Sequence, residues 1–231
     1  TIPSTWRARK PSIASVSEGV LNNMDASVQE LLDLEWRLFD AAPQAGQRSA
    51  QFEDREQFII TRSAQLAAWS PELLESWWQD LRSAQAEGRN SINEKYIYML
   101  EQVDPERYAM LKPGVPEASM EKLWLVDWIC QAQVTWQETL QKKYPGITQN
   151  SRAIHRSADN QDSVSFETFV RSELMTYSVS TLRLYARQIE KAQKVGENLC
   201  ETILENTVRQ LGFDSLETAN SNMIRAGHQD E

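Results

Sequence analysis

The sequence predicts an all-α fold, a single-domain orthogonal array or bundle of about seven to nine helices. Three observations carry this. Gly and Pro number only 8 each in 231 residues, while Leu, Glu, Gln and Ala are abundant. No stretch alternates apolar and polar residues between hairpin turns, as strands would. Apolar residues instead recur at helical spacing along most of the chain.

The elements follow in order. Residues 1–23 read as a flexible basic arm holding Arg7, Arg9 and Lys10, and residues 24–231 as one all-α domain. Ser27-x-x-Glu30 resembles a capping box, opening a helix that ends near Ala42-Pro43. Gln44 to Ser49 is a loop, and a second helix runs from Asp54 to Trp69. Ser70-Pro71-Glu72 supplies an N-cap, a first-turn proline and an N-terminal acid for a third helix, with Gly88 as its stop. Ser91-x-x-Glu94 opens a fourth helix, and Asp104-Pro105 starts a short helix or turn.

Lys112-Pro113-Gly114-Val115-Pro116 is the clearest breaker. The next helix, Glu117 to Lys143, carries one apolar stripe at Leu125, Ile129, Trp136 and Leu140 and another at Leu123, Cys130 and Val134. Two stripes suit a central helix with neighbours on both flanks. A long polar loop spans about 145–163. A helix from Ser165 to Lys194 follows, then Glu197 to Leu211 with Gly212 as stop, and Ser215 to Arg225.

A net charge of −9 opposes non-specific binding to nucleic acid or to an anionic membrane. No run approaches the roughly 18 uncharged apolar residues of a membrane helix, and the N-terminal arm lacks the apolar stretch of a signal peptide. Cys130 and Cys200 form no CxxC pattern, so they read as reduced packing residues, and a cytoplasmic protein is expected. Neither His155 nor His228 has Glu three positions before it, as a di-metal carboxylate site requires. Phosphate-loop, nucleophile-elbow and zinc-protease motifs are absent, so no metal and no cofactor are expected.

The informative anomaly is ionisable residues on apolar helix faces. Phe166, Val170, Leu174, Tyr177 and Leu184 share one arc that includes Glu173, with Glu167 and Arg171 on its shoulder. Glu35 lies near the centre of the arc Val28, Leu31, Leu32, Trp36 and Phe39. Arg62 lies between Phe58, Leu66 and Trp69, with Gln65 at its edge. A charge on such a face must find a partner. If the three faces meet, Glu35, Arg62 and Glu173 converge. The same residues also admit a purely structural reading, as a satisfied polar network in the core. Glu167 and Arg171, at i and i+4, fit either a surface ion pair or a pocket edge. Glu94 reads as a cap pointing away from the Ile92–Tyr96 face, and Trp77, Trp78, Trp124 and Trp128 read as core.

The motifs Leu34-Glu35-Trp36-x-x-Phe39, Phe58-x-x-x-Arg62-x-x-Gln65-x-x-x-Trp69, Glu94-Lys95-Tyr96-x-x-Met99 and Ser165 to Ser178 occur in this order. Together they resemble a family known only as domain of unknown function 4125, over about Ser27 to Ala219. The resemblance implies a stand-alone protein, in some members beside or joined to a nucleotidyltransferase-like domain. It implies no activity.

The first functional expectation is a small-molecule enzyme using general acid–base and electrostatic catalysis on a small carboxylate-bearing or amino-acid-derived substrate. Glu35, Glu173 and Tyr177 would be catalytic. Arg62 would hold a substrate anion, and Gln65, Trp69, Glu167, Arg171 and His155 would complete the binding site, the His155 loop covering it. The alternative is a non-catalytic module binding a ligand or a partner. A partner enzyme or a second copy of the chain is the macromolecular candidate.

Overall fold

A computed structural model describes residues 25–43, 55–149 and 151–227. The expected basic arm, the Gln44–Ser49 loop, Asp54 and His228 lie outside these residues. Eleven α-helices, ten of them seven residues or longer, and no strand occur among the described residues. They are α1 (Ala26–Asp40), α2 (Arg55–Leu66), α3 (Pro71–Ala86), α4 (Ser91–Val103), α5 (Pro105–Leu111), α6 (Met120–Lys143), α7 (Pro145–Thr148), α8 (Phe166–Leu174), α9 (Val179–Lys194), α10 (Leu199–Gln210) and α11 (Leu216–Gly227). The all-α expectation holds, but the helix count exceeds seven to nine. The excess comes from α7 and from the division of the expected 165–194 helix.

That division has a cause other than glycine or proline. After Leu174 the backbone N–H of Thr176 and the Thr176 hydroxyl both donate to the Glu173 carbonyl. Ser178 then caps α9 by accepting from the Thr181 N–H, while its own N–H donates to Asp80. Short polar side chains offer the backbone an alternative to the helix ladder, so the chain turns here. Leu184 therefore sits on α9 rather than on the Glu173 helix.

Other boundaries follow their caps. Ser70 accepts from Leu73 N–H with Pro71 in the first turn, and Asp104 accepts from Arg107 N–H with Pro105 behind it. Gly88 and Gly212 adopt φ of 72° and 80°, conformations open mainly to glycine, and end α3 and α10. Three expectations are corrected. Asp25, with no side-chain cap bond, precedes α1, so Ser27 lies inside the first turn. Asn90, accepting from both Ile92 and Asn93, caps α4 in place of Ser91. Glu94 is buried and binds Arg89 at 2.7 Å, so it is the anion of an ion pair and no cap.

The long helix α6 packs against α8, α9 and α10, as its two stripes foretold. Leu125, Ile129, Cys130, Val134 and Leu140 are all buried, while Trp136 is partly so. The main core gathers α1, α2, α3, α6, α8 and α9 around Trp77, Leu73, Val126 and Leu182. A second cluster joins α6, α7, α10 and α11 through Leu140, Tyr144, Ile147 and Val208. Trp124 departs from its core expectation. It is 63% exposed on α6, because it falls on the side turned away from both stripes.

The polar segment 145–163 is less open than its composition suggests. It begins with α7, and the N–H groups of Phe166 and Glu167 donate back to the carbonyls of Ala153 and Ile154. Asp159 accepts from the Ser165 N–H and the Thr168 hydroxyl, which ties the segment to the start of α8.

Candidate functional site

Helices α1, α2 and α8 bring their three anomalous charges together. Arg62 donates from Nε and Nη2 to the two oxygens of Glu35, each at 2.7 Å, a bidentate pair. Its Nη1 donates to Gln65 at 2.6 Å and to Glu173 at 2.9 Å. The Trp77 indole N–H donates to Glu35, and the Tyr177 hydroxyl donates to Glu173 at 2.8 Å. Trp69 is a core residue, with its ring 5.2 Å from the Arg62 guanidinium carbon and edge-on to Tyr177. Glu35 is 1% exposed and Arg62 9%.

A fourth charge completes the set. Lys95 on α4 donates to the other Glu173 oxygen, and its Nζ lies 3.6 Å from the Phe169 ring centroid. Its place among the site residues was not foreseen: Lys95 falls on the shoulder of the Ile92, Tyr96 and Met99 face of α4. Glu35 and Glu173 thus balance Arg62 and Lys95.

Proton affinities follow from this arrangement. Burial pushes the Glu173 carboxyl up, but Lys95, Arg62 and the hydrogen bonds from Lys95 and Tyr177 together hold it well below the usual carboxylate range. Lys95 is shifted downward as well. Burial and the nearby Arg62 and Arg152 guanidinia outweigh its single carboxylate partner. Burial disfavours the Arg62 charge, yet Glu35 and Glu173 raise its pKa well above the ordinary value. Burial and the Glu173 carboxylate push the Tyr177 phenol well above 10.

Beside this network lies a cavity of about 260 Å³ between α2, α6, α8 and α10. Gln65, Glu173 and Tyr177 form part of its wall, together with apolar side chains that include Leu140, Phe166, Val170, Leu174 and Leu204. Gln133, Gln137, Thr148 and Thr207 add hydrogen-bonding groups, and Ser151 and Arg152 enter from the 145–163 segment.

The remaining expected site residues divide as follows. Glu35, Arg62 and Trp69 stand behind the wall and do not line the cavity. Arg62, expected to hold a substrate anion, has its donors engaged by Glu35, Glu173 and Gln65. Glu167 accepts from the Arg156 N–H, and Arg171 pairs with Asp127, so the two form no i, i+4 bridge. Arg171 lines a different groove, between α4, α5 and α8. His155 is half exposed, meets Glu138 at 3.1 Å and is not among the residues lining the cavity, whereas Ser151 and Arg152 of the same segment are. Both cysteines are free and buried, with burial raising the Cys130 thiol to about 11 and Cys200 to about 12.

Among the described residues no group of three or more His, Cys, Asp or Glu is placed to hold a metal, and no helix is long and apolar enough to cross a membrane. A family model described as protein of unknown function (DUF4125) matches residues 25–221, a span that contains the charge network and the cavity wall. The chain belongs to that family. No match was found among curated proteins or solved structures.

Proposed function

We propose that the protein binds a small molecule in the cavity between α2, α6, α8 and α10, with the charge network as a rigid polar wall. The observation that carries this reading is a mostly apolar cavity whose wall includes a few charged groups, with Glu173 fixed in place by the network. Concave apolar space with a few placed polar groups is the usual form of a ligand site. At about 260 Å³ it falls just below the roughly 300–1,000 Å³ of drug-sized pockets, which suits a metabolite-sized ligand.

Catalysis is the second reading, supported by Tyr177 and Glu173 sharing a hydrogen bond at the cavity wall. A general acid or base works best with a pKa near the operating pH. Here Glu173 is held far below it and Tyr177 far above, so each keeps one protonation state at neutral pH. This favours binding over proton transfer.

A thermal-shift screen of metabolite-sized compounds tests the reading on the wild type and on Leu204→Trp, which fills the cavity from a partly buried position. Compounds that raise the wild-type melting temperature should lose their effect in a variant that keeps its helical spectrum. A shift that survives Leu204→Trp would place the ligand elsewhere and overturn the proposal. Recovery of the ligand unchanged after incubation favours binding, whereas conversion abolished by Tyr177→Phe would establish the catalytic reading.

A further inference from the structure

A guanidinium keeps its charge at neutral pH, so a buried arginine needs an anion nearby. Arg62 has two carboxylates and Lys95 has one, and those four groups cancel. Arg152 stands outside this balance. It is partly buried, lines the cavity, and spans the Phe169 ring with its guanidinium carbon 4.6 Å from the ring centroid. Its Nη1 donates to the Val164 carbonyl at 2.9 Å, which holds the fork in place without neutralising it. Among the described residues no carboxylate lies within ion-pair distance of Arg152. The nearby Asp159 is occupied by Ser165 and Thr168. Burial accordingly lowers the Arg152 pKa to about 10, with only partial relief from Tyr96 and Asp159.

We propose that Arg152 is the anion-binding residue of the cavity and that its ligand is an amphipathic oxyanion, a carboxylate or phosphate monoester on an apolar body. This rests on the reading that the cavity binds a small molecule. A guanidinium fork matches either oxyanion in a bidentate pair, and its partial desolvation strengthens the attraction. Glu173 sets the direction. Its oxygens are taken by Arg62, Lys95 and Tyr177, so this corner leaves a second anion no free donor; the charged end goes to Arg152 and the apolar body lies along Leu140, Val170, Leu174 and Leu204.

Isothermal titration of the full chain with octanoate, octyl phosphate and octanamide tests this. At least one anion should bind the wild type about ten- to a hundred-fold more tightly than the neutral amide, the scale of a hydrogen bond to a charged group. The tighter of the two anions identifies the headgroup. Arg152→Gln should bring anion binding down to about the amide's level, with octanamide binding changed far less than anion binding. Arg152→Lys should keep a reduced preference for the anion, since charge survives and the fork does not. Octanamide binding the wild type as tightly as both anions would overturn the inference with no variant needed, and so would a preference that persists in Arg152→Gln. Either result leaves the cavity as a ligand site. Binding of none of the three probes would count against the cavity reading and this inference together.

Discussion

Glu173 touches Lys95, Arg62, Tyr177 and Gln65, so the cost of removing its charge falls on neighbours that remain buried. Glu173→Gln should destabilise the protein by about 3–5 kcal/mol, the scale of breaking a buried pair from one side. Lys95 takes most of this, because Arg62 retains Glu35. Combining it with Lys95→Met should recover part of the loss, with a coupling of roughly 0.5–3 kcal/mol in a denaturation double-mutant cycle. Additive single effects would mean that Lys95 and Glu173 are solvated independently. Glu35, Arg62 and Glu173 were legible in the sequence because a charge on an apolar helical arc is conspicuous. Lys95 carried a weaker signal on the shoulder of the Ile92, Tyr96 and Met99 face, and its long stem makes a lysine there easy to assign to the surface. Arg152 carried none. It lies in an irregular segment where no periodicity tells inward from outward.

The short helix α7 shows how one element depends on another distant in sequence. Asn220 on α11 accepts from the Gly146 N–H at 2.8 Å and the Ile147 N–H at 3.3 Å, capping α7 from outside. A Cβ at Gly146 would sit 2.5 Å from the Asn220 carbonyl oxygen and 2.7 Å from Ile224 Cγ1. Gly146→Ala should therefore cost about 1–3 kcal/mol, as overpacking does, and raise amide exchange in α7 and α11 before the rest of the chain. Unchanged stability would mean that α11 yields freely. Elements with local caps, such as those opened by Ser70-Pro71 and Asp104-Pro105, were readable in sequence. The turn at Thr176 to Ser178 and the helix at Pro145 were not. The first rests partly on Asp80, 98 positions away in sequence, and the second on Asn220, 74 positions away.

At the scale of the molecule, the charge network should govern acid stability. Glu173 has a folded-state pKa below the ordinary carboxylate value of about 4.3. Its stabilisation is thus complete above that pH and is lost as pH falls toward the lower folded value. Urea midpoints measured from pH 6 downward should fall more steeply for the wild type below about pH 4.5 than for Glu173→Gln, which has no proton to take up there. Equal slopes would show that Glu173 is not depressed. The sequence by itself determined the all-α class, most helix boundaries and the presence of buried charge, because periodicity, caps and composition are local properties. Only the tertiary structure decided that Arg62 is neutralised from within, that Glu35 is sealed behind the wall, and that Glu173 and Arg152 reach one cavity. Ion pairing and enclosed space depend on which helix faces meet, and no short stretch of sequence contains that information.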